Sequence, residues 1–361
     1  WLLAALLAAI AAVGTLILYS IAGGRWGPWA DRHGLLFIAC FVAMIALALV
    51  DLRLWFALAY PVYAVGLVLL LAAAAVGHTH MGAQRWLDLG PIHLQPSEII
   101  KIGLVMALAR FYHSLPARHA SLSWWLLIPA ALILVPAAVV AHQPDLGTAI
   151  LIVGTGGIMM VLAGLSLRLV ALGLVGGAAA LPLAVMFLLK GYQRARLLTF
   201  LHPEADRSGA GYHIIQSKIA LGSGGLLGKG FELGSQAQLN FLPEKSTDFI
   251  FSSLAEEFGF VGCASVLILY AAVIVIGLRI AALAHSHFGR LAASGVIVTF
   301  ALCVLINGAM VMGLAPVVGV PMPLLSFGGT VMITMMAGFA LVQSVRVHRY
   351  SEVTSGRGAL V

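Results

Sequence analysis

The chain has 361 residues, of which 61% are hydrophobic and only 9% are charged, and its formal net charge is +7. A mean hydropathy of +1.05 excludes an ordinary soluble domain and indicates a polytopic integral membrane protein. The basic residues are scattered between apolar segments, so they favour a role in topology and contact with anionic lipid over nucleic-acid binding.

Apolar windows recur along the whole chain and predict about ten transmembrane helices, several of them short. The windows span residues 1–21, 34–50, 54–76, 99–113, 124–141, 147–164, 167–189, 258–280, 291–313 and 329–347. The first lacks a small-residue cleavage pattern and is followed by further spans, so we interpret it as a span and not as a signal peptide. The chain begins at Trp1 without a methionine, and we expect its native N-terminus to lie upstream.

The predicted fold class is all-α: a polytopic membrane protein with a long extracytoplasmic loop, residues 190–247, between the seventh and eighth helices. We predict one transmembrane domain over residues 1–350 and a disordered cytoplasmic tail over residues 351–361. The cysteines lie in apolar windows at spacings that suit neither zinc nor disulfides, so we interpret them as small core residues. They are Cys40, Cys263 and Cys303.

Arginine is distributed unevenly between the two sides that alternating spans define. If the N-terminus is cytoplasmic, the cytoplasmic turns and tail hold nine arginines, against three in the opposite short loops. The nine are Arg53, Arg110, Arg118, Arg168, Arg279, Arg290, Arg346, Arg349 and Arg357, and the three are Arg25, Arg32 and Arg85. Because positive residues favour the cytoplasmic side, we predict that both termini are cytoplasmic.

Most acidic residues fall on the opposite, outer side under this topology. Polar outer loops alone would explain many of them. Glu98, Asp145 and Asp248, however, each stand at or just before a predicted helix start, a position that directs a side chain into a helix bundle. We therefore expect any chemistry to face outward.

The motif "QPSEIIK", residues 95–101, starts a predicted helix. Pro96 suits the first helical position, Ser97 can cap the helix, and Glu98 is favourable at the positive end of the helix dipole. Capping does not explain Lys101, because an unpaired ammonium one turn into an apolar helix is costly. Glu98 and Lys101 are three residues apart and share a helix face. We interpret Lys101 as an anion ligand held by Glu98.

Two further motifs precede apolar or outer segments. In "QPDLGT", residues 143–148, Asp145 follows a proline, and helix capping explains it as well as binding does. The stretch "GSGGLLGKG", residues 222–230, lacks the ending of a phosphate loop and has no predicted strand before it, which disfavours nucleotide binding. Its glycines indicate a loop that folds tightly against the bundle.

The long loop is basic close to the predicted membrane surface, through Arg194, Arg196, Lys218 and Lys229. Non-specific binding to lipid headgroups is one explanation, and a pyrophosphate-bearing lipid would use the same charges with better geometry. Before the last window, "PMPLLSFGGT" combines two prolines with paired glycines. Such irregular backbone is tolerated at membrane depth only where protein or a water-filled cavity satisfies it.

Asp248 ends the long loop within "STDFIF", residues 246–251. Ser246 or Thr247 could cap the following helix, and Asp248 could be a first-turn acid favoured by the helix dipole. A carboxylate beside hydrocarbon and near cations can also be tuned towards a general base. We predict that Asp248 is a catalytic base.

Taken in order, these motifs resemble the SEDS family of polytopic peptidoglycan polymerases over essentially the whole chain. The matching stretches are "GAQRWLDLG", "QPSE", "QPDLGT", "YQRARL", "GYHIIQSKIALGSGGLLGKG", "LPEKSTDFIF" and "GVPMPLLSFGG". Residues 310–330 resemble the elongation branch of the family more than its division branch. Two departures are small: Phe327 stands where tyrosine is usual, and Arg207 where proline is common.

The resemblance implies a glycosyltransferase of the bacterial inner membrane that polymerises lipid II into β-1,4 glycan strands during cell elongation and rod-shape maintenance. It matches Asp248 to the family's essential aspartate, and the change from an α-linked donor to a β-linked product implies a single displacement with inversion. It implies a divalent cation, magnesium or manganese, without known ligands here, and no organic cofactor. The resemblance and the basic loop together suggest these substrate-binding residues: Arg32, Arg85, Trp86, Glu98, Lys101, Asp145, Arg194, Arg196, Gln216 and Lys218.

The resemblance also implies a class B penicillin-binding protein as the transpeptidase partner, together with the elongation machinery of MreC, MreD, RodZ and MreB. Two other classes of function stay open. A lipid II flippase or another transporter would also use intramembrane acids and broken helices, but it is disfavoured by the outward charges and the lack of paired repeats. A scaffold without activity would leave Lys101 and Asp248 without a role.

Overall fold

The structure, a computed structural model, describes residues 1–76, 78–80, 83–89, 92–115, 124–183, 191–202, 204, 209–242 and 244–352. Most of the predicted tail lies outside these ranges. The described helices are α1 Leu2–Ile21, α2 Ala30–Ala48, α3 Leu52–Val76, α4 Pro96–Ser114, α5 Leu127–His142, α6 Leu146–Leu162, α7 Leu167–Leu183, α8 Gly191–Leu201, α9 Ala210–Ser223, α10 Ser235–Gln238, α11 Ile250–Ala282, α12 His287–Val311 and α13 Gly329–Val347. The described strands are β1 His78–His80, β2 Ala83–Leu89 and β3 Ile92–Leu94.

The apolar windows and the helices coincide: each of the ten windows falls on one helix of the described chain. By length and composition, six of these helices could cross a membrane, namely α1, α2, α3, α11, α12 and α13. Helices α5, α6 and α7 are shorter, at 16, 17 and 17 residues, and α4 carries three charged side chains. The number of spans therefore stays a prediction.

The chain forms two compact units, which are described one at a time. The first contains Trp1–Phe41, Lys190–Ile276 and Phe300–Ile333. Its α1 buries an apolar stripe at the spacing of one helix face. The stripe includes Leu3, Leu7, Ile10, Ile17 and Leu18. Through this face, α1 packs against the loop between α12 and α13. That loop spans residues 312–328 and is called the α12–α13 loop below.

Helix α11 of the first unit is broken near its start, where Gly259 has a φ of 64° and leaves the helical conformation. The loop after α9 fills this break with main-chain hydrogen bonds: the N–H groups of Lys229 and Gly230 donate to α11 carbonyls at 2.9 and 3.0 Å. The N–H of Phe260 donates back to Gly225 at 2.9 Å. Gly228, with a φ of 82°, lies so close to α11 that a Cβ would collide with it. The glycines of "GSGGLLGKG" therefore serve tight packing against the bundle, as predicted.

The second unit contains Val42–Leu189, Gly277–Thr299 and Thr334–Val361. Its α4 is buried along nearly its whole length, which carries the polar side chains of its first turn into the interior of the unit. Near the other end of α4, Arg110 donates to the carbonyl oxygens of Phe56 and Ala57 on α3, both at 2.9 Å. Neighbouring α3 and α4 are thus joined through the backbone as well as through apolar packing.

The predicted all-α fold is confirmed, and two features within it were not predicted. A three-stranded antiparallel sheet in the order β1–β2–β3 lies before α4 in the chain. Strands β1 and β3, with three residues each, are too short for an alternating hydrophobic pattern to reveal them, and β2, AQRWLDL, does not alternate strictly. The predicted loop over residues 190–247 contains α8, α9 and α10, which a search for apolar windows passes over because their polar residues lower the mean hydropathy.

Candidate functional site

Asp248 lies just before the start of α11 in the first unit, and its side chain is half-buried. The α12–α13 loop binds the main chain of the two residues that precede Asp248. The N–H of Phe327 donates to the carbonyl of Ser246 at 2.8 Å, and the hydroxyl of Ser326 donates to the carbonyl of Thr247 at 2.6 Å. These two bonds fix the approach of the chain to Asp248 without using its carboxylate.

The carbonyl of Asp248 itself accepts a hydrogen bond from Asn307 of α12, at 2.9 Å. The same amide group donates to the carbonyl of Val320 at 2.8 Å. The residue before Val320 is Gly319, where a Cβ would lie 3.6 Å from Oδ2 of Asp248. The carboxylate therefore lies beside the main chain of the α12–α13 loop.

Two of the predicted basic residues contact this same loop. Nη1 of Arg196, on α8, donates to the carbonyl of Val317 at 3.5 Å. The side chain of Lys218, on α9, passes directly over Gly313, where any Cβ would collide with it. The first unit thus brings a carboxylate and two cations to one stretch of loop, residues 313–320.

Helix α9 is anchored at Ser217, the residue before Lys218. Ser217 is fully buried. Its hydroxyl lies 2.8 Å from that of Ser252 on α11 and donates to the carbonyl of Val311 at the end of α12, at 2.7 Å. The neighbouring Gln216 is half-buried. This anchor gives Lys218 a fixed helix to project from.

The other predicted residues of the first unit are more peripheral. Arg194 is exposed on α8. Arg32 is exposed in the first turn of α2, where its N–H donates to the carboxylate of Asp31 at 2.7 Å. Their exposure leaves both side chains able to contact a ligand.

In the second unit, Lys101 and Glu98 form the predicted pair, with Nζ 2.8 Å from Oε1. Both residues are buried, with 5% and 3% of their surface exposed, and Thr334 of α13 donates to the second carboxylate oxygen at 3.3 Å. Pro96 occupies the first helical position, as predicted. The prediction that Ser97 caps the helix is wrong, because Gln95 stands at the N-cap and the buried hydroxyl of Ser97 has no partner within the described residues.

Asp145 is the N-cap of α6, where its carboxylate accepts a hydrogen bond from the N–H of Thr148 at 3.2 Å. It is 2% exposed, so the capping explanation accounts for its position. Trp86 is half-buried on β2, opposite His78. The side chain of Arg85 lies outside the described residues.

Two glutamates that follow Asp248 serve structure. Glu256 is fully buried and accepts hydrogen bonds from Lys229 at 2.5 Å and from Ser235 at 2.9 Å. Glu257 accepts one from Ser20 of α1 at 2.5 Å. Lys229, predicted as one of the basic residues of the long loop, is thus paired with a carboxylate and holds the loop to α11.

Lys245 is a second lysine used within the protein. Its ammonium donates to the carbonyl of Ala237 at 2.6 Å and to the side chain of Asn240 at 2.7 Å. Burial lowers the pKa of this ammonium from its ordinary value. These bonds close the segment that leads from α10 to Asp248.

Sequence reasoning missed Asn307 and Ser326, the two side chains that hold the Asp248 segment. A signal for the first was present, because an amide within the apolar window 291–313 is costly unless it has a partner or a role. Ser326 carried no such signal, since a serine beside paired glycines is common in any loop.

The predicted divalent cation finds no preformed site among the described residues, where no three His, Cys, Asp or Glu side chains are grouped closely enough to hold a metal ion. Glu244, the acid nearest in sequence to Asp248, accepts a hydrogen bond from the hydroxyl of Thr247 at 2.9 Å, and Glu256 and Glu257 are also bonded within the protein. The described side chains therefore do not fit a metal centre on their own.

Comparison with known proteins places this chain among cell-wall proteins. The family model described as "Cell cycle protein", which covers FtsW, RodA and SpoVE, matches residues 1–351. The peptidoglycan glycosyltransferase MrdB of Escherichia coli strain K12 is 44% identical over 346 residues, which cover 95% of this chain and 92% of that protein.

Solved structures give the same result. One, described as "Structural coordination of polymerization and crosslinking by a peptidoglycan synthase complex", matches with a TM-score of 0.83 and 32% identity over 97% of this chain and 98% of that one. The rod shape determining protein RodA of Thermus thermophilus matches with a TM-score of 0.73 and 30% identity, over 97% of each chain. These matches confirm the predicted polytopic membrane fold and the resemblance to the elongation branch.

Proposed function

Because the chain belongs to the FtsW/RodA/SpoVE family, we propose that it is a peptidoglycan glycosyltransferase that polymerises lipid II during cell elongation and rod-shape maintenance. The names of the relatives support the activity, and the arrangement around Asp248 supports its chemistry. The observation that carries the assignment is the meeting of a half-buried carboxylate, Arg196 and Lys218 at one loop, residues 313–320.

In the proposed reaction, Asp248 is the general base. The 4-hydroxyl oxygen of the acceptor sugar attacks C1 of the donor sugar while Asp248 takes the hydroxyl proton. The bond from C1 to the pyrophosphate oxygen breaks, and its electron pair leaves with undecaprenyl pyrophosphate. One displacement inverts the α-linkage of the donor and gives a β-1,4 bond without a covalent enzyme intermediate.

The leaving pyrophosphate needs cations, since charge develops on it as the bond breaks. We assign this role in the first unit to Arg196 and Lys218, with Arg194, Gln216 and Arg32 as further ligands. Guanidinium groups suit phosphate oxygens because they can donate two parallel hydrogen bonds.

Within the second unit, Lys101, which Glu98 holds in place, stays a predicted anion ligand. Asp145, Trp86 and Arg85 stay predicted substrate-binding residues. No step of the reaction is assigned to a metal ion, because the described side chains do not form a metal centre. The magnesium or manganese implied by the family stays a prediction.

The second candidate, a lipid II flippase, draws on one observation: α11 is broken at Gly259, as helices at transport sites often are. The break is closed by the loop over residues 225–230, whose N–H and carbonyl groups are bonded to α11. A break filled by protein does not line a transport path, so the polymerase is favoured.

We further propose that both termini are cytoplasmic and that the site faces the extracytoplasmic side of a bacterial inner membrane. The three native cysteines are all buried, so a single exposed cysteine can report on topology. Leu239→Cys places one at a position that is 64% exposed in the segment after α10. An impermeant maleimide should label it on intact spheroplasts, and labelling only after lysis would reverse the orientation and refute this mechanism.

The proposed partner is a class B penicillin-binding protein, which would crosslink the strands that this chain makes, within machinery that includes MreC, MreD, RodZ and MreB. The description of the matched synthase complex, which joins polymerisation to crosslinking, supports such a partner. Co-purification with a candidate partner, followed by polymerase rates with and without it, tests both the complex and any activation.

The experiment that tests the function is polymerisation of labelled lipid II by the purified protein in detergent or nanodiscs. We expect a ladder of glycan chains on a gel that disappears on digestion with an enzyme specific for β-1,4 links. Movement of labelled lipid II across vesicle bilayers without any ladder would instead favour the flippase.

A further inference from the structure

Asn307 supports the Asp248 segment from inside the first unit. It lies on α12, and none of its surface is exposed. Its Nδ2 donates to the carbonyl of Asp248 at 2.9 Å and to the carbonyl of Val320 at 2.8 Å. Both N–H groups of the amide are therefore used, and each goes to a different segment of main chain.

A fully buried amide costs free energy unless its hydrogen bonds are made. The Oδ1 atom of Asn307 is buried and has no hydrogen-bond partner within the described residues. Packing alone does not require such a residue, because a leucine would fill nearly the same space without leaving a polar atom unsatisfied. The two donated hydrogen bonds are what distinguish asparagine from leucine at this position.

Those two bonds join the main chain of Asp248 to that of Val320, in the part of the α12–α13 loop that lies beside the Asp248 carboxylate. Val320 follows Gly319, the residue at which a Cβ would lie 3.6 Å from Oδ2 of Asp248. Ser326 bonds the carbonyl of Thr247 one residue earlier, at 2.6 Å. The link from Asn307 acts on Asp248 itself, through its main-chain carbonyl.

We propose that Asn307 is a positioning residue for glycosyl transfer: it sets the carboxylate of Asp248 against the α12–α13 loop and does not itself touch substrate. This inference rests on the proposed role of Asp248 as base. Proton transfer requires the base to lie within hydrogen-bond distance of the acceptor hydroxyl, so a small displacement of Asp248 slows the chemical step. Binding of lipid II does not depend on that displacement, and the loss falls on kcat and not on KM.

The test compares Asn307→Leu with the wild type in the lipid II polymerisation assay. We expect kcat to fall about 10- to 100-fold, because a misplacement of about 1 Å can cost that much, while KM is retained. Thr299→Val is the matched control. It is isosteric, lies on the same helix, is fully buried, and loses a hydroxyl that donates to Gly295 at 2.9 Å, so it should keep the wild-type kcat.

A second measurement separates positioning from a general structural defect. In an Asp248→Asn background there is no base left to position, so adding Asn307→Leu should lower the residual rate no further. A structural defect would reduce the rate by the same factor in both backgrounds, and that result would overturn the proposal. Wild-type kcat in Asn307→Leu would overturn it as well, and would leave the base assignment intact if Asp248→Asn is inactive.

Failure of the base assignment gives a different result, because Asp248→Asn itself would then polymerise at the wild-type rate. Failure of the proposed function differs again, because the wild type would then give no glycan ladder. If Asn307→Leu does not fold, Ser326→Ala keeps the test open. It removes the hydroxyl that bonds the carbonyl of Thr247 and leaves α12 unchanged. We expect a smaller fall in kcat with KM retained, and wild-type kcat would refute positioning by this loop.

Discussion

Asp248 and Glu98, one in each unit, both stand at helix starts and are held in opposite ways. The segment of Asp248 is held through three consecutive main-chain carbonyls, and its side chain stays half-exposed. Glu98 is held through the carboxylate itself, which bonds Lys101 at 2.8 Å and Thr334 at 3.3 Å and is almost completely buried.

In the proposed mechanism, this difference separates a group that reacts from a group that supports another. A carboxylate fixed by its main chain can keep its oxygens directed at a substrate, whereas one bonded to an ammonium serves to orient that ammonium. The position at a helix start, which the two residues share, does not distinguish these roles. The groups that hold each residue do, since the described bonds act on the main chain of the Asp248 segment and on the carboxylate of Glu98.

Replacing the group assigned as base should have the largest effect. Asp248→Asn keeps size and shape but cannot accept a proton, so we expect polymerisation to fall by about 10²- to 10⁴-fold, as for other lost general bases. Initial rates with labelled lipid II measure this, and the thermal unfolding midpoint should stay close to the wild-type value. A rate within error of the wild type would show that Asp248 is not the base, and the contrast with Glu98 would then fail.

The ion pair should give the next largest effect. Lys101→Met leaves the Glu98 carboxylate buried without its ammonium, and breaking a buried pair in this way costs about 3–5 kcal/mol of stability. We also expect loss of activity, because the assigned anion ligand is gone. Glu98→Gln alone should cost less.

The double variant sharpens the second prediction, because it removes the buried charge together with its partner. Its loss in stability should be smaller than the sum of the two single losses in a double-mutant cycle. Strict additivity would show that the two residues act independently, and the contrast with Asp248 would then be lost.

The carboxylate of Glu256, which is paired with Lys229, tests whether a carboxylate in an ion pair always supports activity. Lys229→Met breaks the bond to Glu256, but Ser235 remains bonded to that carboxylate and the lysine is about one-third exposed. We therefore expect a modest loss of about 1 kcal/mol and an unchanged polymerisation rate. Arg196→Met, the matched loss of a cation that contacts the α12–α13 loop, should instead lower kcat, because this cation is assigned to the charge that develops on the leaving pyrophosphate.

The smallest effect is expected at Asp145, whose carboxylate caps α6. Asparagine caps helices as well as aspartate does, so Asp145→Asn should leave the unfolding midpoint nearly unchanged, while Asp145→Ala should lose about 1 kcal/mol. Thermal unfolding of the two variants measures the cap. If Asp145→Asn keeps its stability and loses activity, the charge serves substrate and the cap is only part of its role.

The sequence predicted the helices well because a membrane span must be long and apolar, and both properties can be read directly from the chain. Window 258–280 began too late, since Glu256 and Glu257 lower the hydropathy where α11 has already started. Strands β1, β2 and β3 were missed, because β1 and β3 have only three residues each and β2 does not alternate strictly between apolar and polar side chains.

For the site, the Glu98–Lys101 pair was predictable because helical spacing alone brings residues three apart together. The links from Asn307 and Ser326 to the Asp248 segment were not, because they join residues 59 and 79 positions apart in sequence. No local rule of spacing relates such partners, and only the folded chain brings them together.

The break at Gly259 has a consequence for how the protein opens. The loop over residues 225–230 and α11 around the break share one set of main-chain hydrogen bonds, so neither can detach while the other stays fully bonded. Amide protons on both should therefore exchange with deuterium through one common opening event, and with one free energy, although more than 25 residues separate them in sequence. A helix repaired by a distant loop behaves in this respect as a single cooperative element, and Asp248 lies at its edge.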